Sequence, residues 1–209
     1  GSLFLNPGTY SEDVVVNKTL FLVSNGGLAT INGSTATPLV INNPVVETVY
    51  LEGLFSILSS ATTTPAIQVT AGSYLGLVND GGAGTAIIDL ADGSSGAQSG
   101  GNLELYGPVT GQLTISNRVV MGNNSSMYAY GDFTPTMSGI LEYTSGASVV
   151  LGAANDGTGT GSILTINGPI IDNSVVPTIT AIAPNQVVIV ATLVAALESQ
   201  TLNTLNTLT

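Results

Sequence analysis

The stretch of sequence that decides the fold is NPGTYSEDVVVNKTLFLVS at residues 6–24, followed by ATING at residues 29–33. The Pro-Gly pair at 7–8 is a turn signal, because proline presets its own φ and glycine adopts backbone angles that other residues avoid. Four aliphatic residues then fall at alternate positions within short runs: Val14, Val16, Leu20 and Leu22. Alternation with a period of two is the pattern of a strand with one buried face. The stretch therefore predicts short strands that bend at polar residues and point aliphatic side chains into a core.

The same pattern continues along the chain to about residue 185. Aliphatic runs of three to five residues alternate with clusters of Gly, Asn, Asp or Ser, and no convincing i, i+3, i+4, i+7 helical spacing occurs in this part. Many short strands separated by turns predict an all-β protein.

Strands this short favour a solenoid over a sandwich or an antiparallel barrel, in which strands are usually about 5–6 residues long. Self-similarity supports the solenoid: LGLVNDGGAGT at 75–85 recurs as LGAANDGTGTG at 151–161, and ATING at 29–33 as LTING at 164–168. The first offset is 76 residues, which predicts three rungs of about 25 residues each. The alternative is that glycine-rich turns recur by chance.

Residues 6–33 resemble the opening rung of the pectin-lyase-like β-helices, whose pattern reads P-G-T-Y-x-E-x-V-x-I-x-K-x-L-x-L-x-G. The resemblance implies a right-handed parallel β-helix. It does not select a function, because the superfamily includes pectin methylesterases, periplasmic copper-site accessory proteins, and viral and bacterial surface proteins. The catalytic patterns of pectate lyases and methylesterases are not found after this rung.

We therefore expect an all-β, right-handed parallel β-helix over residues 1–181 and a short helical or extended appendage over residues 182–209. In the appendage glycine disappears, and five leucines recur at spacings of three to five residues: Leu193, Leu197, Leu202, Leu205 and Leu208. The first four are the candidate oligomerisation residues. An amphipathic helix there would cap the solenoid or associate with copies of itself. The Thr-Leu-Asn period of three at 201–208 drifts off one helical face, so a disordered tail is the third alternative.

Charge restricts the partners. The chain has 13 acidic residues and two basic ones, Lys18 and Arg118, for a formal net charge of −11. Nucleic acid and anionic membranes are excluded, because binding them requires cations that neutralise phosphates. The longest apolar run, residues 187–197, is half the length of a membrane-spanning helix, which needs about 20 residues. Neutral or cationic partners remain: polysaccharides, Ca²⁺ or other protein chains.

Catalysis is restricted in the same way. The chain contains no His and no Cys, so imidazole acid–base chemistry, Ser-His-Asp triads and thiol nucleophiles are absent. We expect that the protein is not an enzyme and has no cofactor. If it were one, Asp89 and Asp92 would act as the paired carboxylates of a glycosidase, with Arg118 as the one downstream cation. The competing interpretation is that both aspartates cap turns.

Two NDG sequences, at 79–81 and 155–157, make Asp80 and Asp156 weak candidates for calcium ligands. Calcium prefers clustered oxygen ligands, but neither stretch matches a calcium loop. We expect turns and no metal site.

Aromatic residues cluster in MYAYGDF at 127–133. Tyr128 and Tyr130 alternate, which predicts that both rings lie on one face of a strand, and Phe133 follows them. Exposed aromatic rings stack on sugars and anchor interfaces. These three residues are the candidate carbohydrate site, with core packing as the alternative.

Three functions are compatible with these features. The first is a structural, adhesive protein of a viral or bacterial surface fibre or shell, located outside the cell or on the virion or cell surface. It would present a polar face to glycans or neighbouring subunits as a homo-oligomer, with a trimer favoured. The alternatives are a polysaccharide enzyme that uses carboxylates, disfavoured by the lack of cationic clamps, and a non-catalytic carbohydrate-binding module.

Overall fold

The computed structural model describes residues 1–34, 37–43, 48–60, 64–78, 84, 86–91, 100–106, 113–131, 134–144, 149–154, 162–172, 178–181, 186–189 and 193–195. All regular structure in these ranges is β-strand, and every strand pairing between them is parallel. The protein is a β-solenoid, as the sequence predicted. The right-handed sense of the coil stays a prediction.

Each rung begins with a strand of sheet A. These strands stack in the order β1 (Ser2–Leu5), β4 (Phe21–Ser24), β7 (Val49–Glu52), β10 (Tyr74–Val78), β12 (Asn102–Tyr106), β15 (Ser126–Tyr130), β18 (Val150–Ala154) and β21 (Thr178–Ala181). Each rung ends in sheet C, which stacks β3 (Val14–Val16), β6 (Leu39–Ile41), β9 (Ile67–Val69), β11 (Ile88–Asp89), β14 (Val119–Met121), β17 (Leu141–Tyr143), β20 (Ile170–Asp172) and β23 (Leu193–Ala195).

Two smaller sheets lie between sheets A and C along the chain. Sheet B contains β2 (Gly8–Tyr10), β5 (Ala29–Asn32) and β8 (Phe55–Leu58). Sheet D contains β13 (Thr114–Ile115), β16 (Thr136–Met137), β19 (Ile163–Ile166) and β22 (Gln186–Ile189). The chain thus passes from sheet A to sheet C and back to A once per rung; it crosses sheet B or D on the way in every rung except that of β10 and β11, where the described residues contain no such strand.

The register of sheet A explains the sequence repeat. Leu75 pairs with Leu103, Leu103 with Met127, and Met127 with Leu151, in steps of 28, 24 and 24 residues. The two LG sequences are therefore three rungs apart, as the 76-residue offset predicted.

The core is a column of aliphatic side chains from the inner faces of the sheets. One line of stacked side chains from sheet A comprises Leu22, Leu51, Leu77, Leu105, Ala129 and Ala153, all buried. Sheet C contributes a similar line: Leu39, Ile67, Ile88, Val119, Leu141 and Ile170. Of the residues in the opening stretch, Val16 and Leu22 are buried, while Val14 and Leu20 pack against the core from the edge. Fully burying a Val or Leu side chain contributes about 1.5–3 kcal/mol, so this column is the main source of stability.

Glycine at one set of corners is required by close packing between rungs. A Cβ atom on Gly139 would lie 1.9 Å from the backbone oxygen of Asn117, and one on Gly168 would lie 2.0 Å from the oxygen of Gly139. Both distances are far below van der Waals contact, so a side chain at either corner would force the rungs apart.

The described part of the predicted appendage is extended. Strand β22 pairs with β19 and strand β23 with β20, so the parallel ladders continue to Ala195. The helical alternative is therefore wrong for residues 186–189 and 193–195. Leu193 begins β23, whereas Leu197, Leu202 and Leu205 lie outside the described residues. Whether residues 182–209 cap or oligomerise the protein stays a prediction. No helix long and apolar enough to cross a membrane occurs in the ranges that the structure describes.

Candidate functional site on the outer face of sheet A

The outer face of sheet A carries most of the tyrosines of the chain. Because side chains alternate along a strand, the register places outward residues of successive rungs in line: Phe21, Tyr50, Gly76, Glu104, Tyr128 and Gly152. A second outward line comprises Val23, Glu52, Val78, Tyr106 and Tyr130. The two lines lie side by side along the solenoid axis.

Five rings on this face form a continuous chain of contacts, which we call the aromatic strip: Phe21, Tyr50, Tyr106, Tyr130 and Tyr128. The ring centroids are 4.3 Å apart for Phe21 and Tyr50, 5.4 Å for Tyr50 and Tyr106, 5.5 Å for Tyr106 and Tyr130, and 5.9 Å for Tyr130 and Tyr128. These are the separations at which aromatic pairs attract each other. All five rings are partly exposed.

Two glycines make room for the rings. A Cβ on Gly76 would lie 2.7 Å from Cδ1 of Tyr50, and a Cβ on Gly152 would lie 2.0 Å from Cε1 of Tyr128. In both cases the tyrosine of the preceding rung covers the glycine of the next one. Tyr50 and Tyr106 are two rungs apart, which is about 9.5 Å of backbone, and their rings meet because Gly76 leaves the space between them open.

Glu104 points outward in this gap, yet it is only 6% exposed. Its Oε2 atom accepts hydrogen bonds from the Thr48 hydroxyl at 2.6 Å and from the Tyr106 hydroxyl at 2.8 Å. Thr48 belongs to the rung of β7, two rungs before Glu104. The carboxylate thus reaches across the rung of Gly76 to Thr48, and the hydroxyl of Tyr106, a ring of the aromatic strip, holds it from its own strand.

Burial and the carboxylate shift the tyrosine pKa values. Burial raises the pKa of Tyr106 well above its ordinary value, and the hydrogen bond to Glu104 raises it further. Burial, followed by the charge of Glu104, raises the pKa of Tyr130 to about 12. Both phenols are therefore neutral hydrogen-bond donors across the physiological pH range.

Sequence reasoning identified only one end of this site. Tyr128 and Tyr130 lie on one face of β15, as predicted, while Phe133 lies outside the described residues. The sequence pattern did not indicate that Phe21, Tyr50, Tyr106 and Glu104 belong to the same site. Each of them sits in a short strand next to aliphatic residues, and they could be connected only by knowing which residues are paired between rungs.

The carboxylates proposed for an enzyme are arranged differently. Oδ1 of Asp89 accepts a hydrogen bond from the backbone N–H of Ala91 at 2.8 Å, which is the turn geometry of the competing interpretation. Asp89 lies in sheet C and Glu104 in sheet A, so the two carboxylates project from different faces. Arg118 forms an ion pair with Glu142, to which its Nε and Nη2 atoms both donate. Asp92 lies outside the described residues.

The metal candidates Asp80 and Asp156 also lie outside the described residues. Within the described ranges, no group of three His, Cys, Asp or Glu residues is close enough to hold a metal ion.

Comparisons with protein-family models, curated proteins and solved structures gave no match to this chain. The strand pairing itself therefore assigns the chain to the parallel β-solenoids.

Proposed function

We propose that this chain is a structural, adhesive surface protein that binds glycans along the aromatic strip. The observation that carries the proposal is the uninterrupted contact of five partly exposed rings on one face of a rigid sheet. From the rung of β4 to the rung of β15 the strip spans four steps, or about 19 Å at the usual strand spacing. That length suits a polymer better than a single sugar.

The chemistry of the strip suits sugars. Tyrosine offers an apolar ring face for the C–H groups of a pyranose, and its hydroxyl bonds to the sugar hydroxyls. The rings are fixed by each other and by parallel strands above a packed core. Little conformational entropy is therefore lost when a glycan binds, and preorganisation of this kind favours affinity.

The proposal also covers where the protein is located, how it assembles and which superfamily it belongs to. We place the protein outside the cell or on a virion or cell surface, as a homo-oligomer or a neighbour of other structural subunits, and in the pectin-lyase-like superfamily. The opening-rung pattern, the solenoid fold and the content of only 7% charged residues support this placement. The geometry of Asp89 and Arg118 gives no support to a carboxylate enzyme.

A binding experiment on a glycan array tests the role of the strip. The wild-type protein should bind at least one polysaccharide, and Tyr128→Ala should weaken that binding about tenfold, the effect of removing one central aromatic anchor. The matched control is Gln68→Ala, a surface change in β9 of sheet C, which should leave affinity unchanged. Absence of glycan binding by the wild type, or equal affinity of Tyr128→Ala, contradicts the proposal.

Sedimentation velocity separates the adhesive fibre from a simple binding module. The fibre component should sediment as an oligomer, with a trimer expected, at micromolar concentration. A monomer that still binds glycan would favour the carbohydrate-binding module.

A further inference from the structure

Glu104 is an unusual residue for the outer face of a sheet, because a charged side chain there normally extends into water. Here the residue is 6% exposed and both of its hydrogen bonds end on Oε2. No buried side-chain oxygen or nitrogen among the described residues lacks a hydrogen-bond partner. Oε1 accepts neither of these bonds, so it is not fully buried and is the carboxylate oxygen open to a further donor.

Among the residues that the structure describes, the charge of Glu104 has no counter-ion on this face. The described strands of sheet A contain no Lys or Arg, and they contain a second acid, Glu52. Arg118 is paired with Glu142, and Lys18 is exposed in the connection between β3 and β4. Removing a carboxylate from water is costly unless a positive charge compensates it. The two hydroxyl donors, Thr48 and Tyr106, orient the carboxylate but bring no positive charge to it.

The surroundings of the carboxylate favour a cation. The π face of a tyrosine attracts positive charge within about 6 Å of its centroid. The ring of Tyr50 covers Gly76, and its centroid lies 5.4 Å from that of Tyr106. The net charge of −11 attracts cationic ligands to the whole protein. A metal ion would need more oxygen ligands than one carboxylate supplies.

We propose that Glu104, with the rings of Tyr50 and Tyr106, is a subsite for the protonated amino group of a sugar. This inference rests on the glycan-binding role proposed above and specifies its ligand class as polysaccharides that contain free amino sugars. The ammonium group donates to Oε1 and lies against the tyrosine rings, while neighbouring sugar units stack on the rest of the aromatic strip. Acetylation of the amine removes its charge and thus the contact.

Calorimetric titration with two matched oligosaccharides tests the subsite: a glucosamine hexamer and an N-acetylglucosamine hexamer. Wild-type protein should bind the glucosamine hexamer about tenfold more tightly, the ratio expected for one cation–π and carboxylate contact. Glu104→Gln keeps the size of the side chain and an oxygen for Thr48 and Tyr106, and it should bind both hexamers equally. Glu52→Gln removes the same charge from the same face and should keep the preference.

Equal affinity of the wild type for both hexamers overturns the subsite, and so does a preference that survives in Glu104→Gln. In either case the glycan-binding role stands if Tyr128→Ala still weakens the binding of both hexamers, and it fails if no glycan on the array binds.

Circular dichroism and the melting temperature verify that Glu104→Gln is folded. If it is not, ring-proton NMR of the wild type replaces the variant. Glucosamine hexamer should shift the Tyr50 and Tyr106 signals, and unshifted signals overturn the subsite.

Discussion

At the scale of single residues, glycine has two different roles in this solenoid. Gly152 has an outward position under the ring of Tyr128, so a Cβ there would meet a side chain that can rotate away. Gly139 lies at a corner, where a Cβ would meet the backbone oxygen of Asn117 in the rung before. The first glycine shapes the surface, whereas the second allows the rungs to stack.

The same substitution at these two positions should therefore have opposite consequences. Gly152→Ala should change the free energy of unfolding by less than about 1 kcal/mol, since alanine suits a strand better than glycine, and should weaken glycan binding by displacing Tyr128. Gly139→Ala should destabilise the protein by about 2 kcal/mol or more, because the backbone cannot move aside. Urea denaturation measures both values. Equal destabilisation by the two variants would refute the distinction.

The elevated pKa of Tyr130 predicts how stability responds to alkali. In the unfolded chain this phenol ionises near its ordinary value of 10.0, whereas in the folded protein it ionises at about 12. A raised pKa gives a contribution to stability that is complete below pH 10 and is lost as the pH rises towards 12. Denaturation between pH 9 and pH 12 should show this fall, with a shallower slope for Tyr130→Phe. An identical slope in the variant would contradict the assignment.

At the scale of strands, stability depends on which face a residue occupies. Leu103 of β12 is completely buried between Leu75 and Met127 of the adjacent rungs. Val120 of β14 is only partly buried. Both are aliphatic residues in short strands, so they form a matched pair.

Leu103→Ala should lower the free energy of unfolding by about 2–5 kcal/mol, since it removes buried methyl groups and leaves a cavity. Val120→Ala should cost about 1 kcal/mol or less. Chemical denaturation of both variants provides the comparison. Similar losses would mean that the inner and outer faces of the rungs are not energetically distinct.

The strands were predictable from sequence because alternation is a local property. Val16 and Leu22 are buried as their spacing predicted, and the recurring LG pairs gave the correct number of rungs between Gly76 and Gly152. The aromatic strip was not predictable, because the register step between rungs of sheet A varies from 19 residues at Ser2 and Phe21 to 29 at Phe21 and Tyr50. No fixed period brings Tyr50, Tyr106 and Glu104 together.

In the C-terminal segment, local spacing left the secondary structure open. Leucines such as Leu193 and Leu197 at near-helical spacing allowed a helix, but short apolar runs are compatible with either structure. Pairing of β23 with the existing edge at β20 satisfies the backbone hydrogen bonds on one side of the strand. That edge is a tertiary feature, which local spacing does not reveal.

At the scale of the whole molecule, each rung contacts mainly its two neighbours, so stability is distributed along the axis in one dimension. Strands β1, β2 and β3 have a partner on one side only, and Leu3 and Phe4 of β1 are 48% and 63% exposed. The strands in the middle, such as β10 and β12, are paired on both sides.

Hydrogen exchange should therefore be graded along the chain. The amides of β10, β12 and β15 should exchange slowest and those of β1 fastest, because rungs with a single neighbour open at a lower free-energy cost. Mass spectrometry of peptides from pulse-labelled protein measures the gradient. Uniform protection from β1 to β15 would show that the solenoid unfolds as one cooperative unit.

Parallel stacking also gives the proposed binding face a direction, because its two ends differ. Its phenylalanine end and its double-tyrosine end are chemically distinct, and every strand crosses the face in the same direction. A polysaccharide likewise has two unlike termini. A polysaccharide bound along the aromatic strip in one direction therefore forms a different complex from one bound in the opposite direction. One of the two orientations of the bound polymer should dominate.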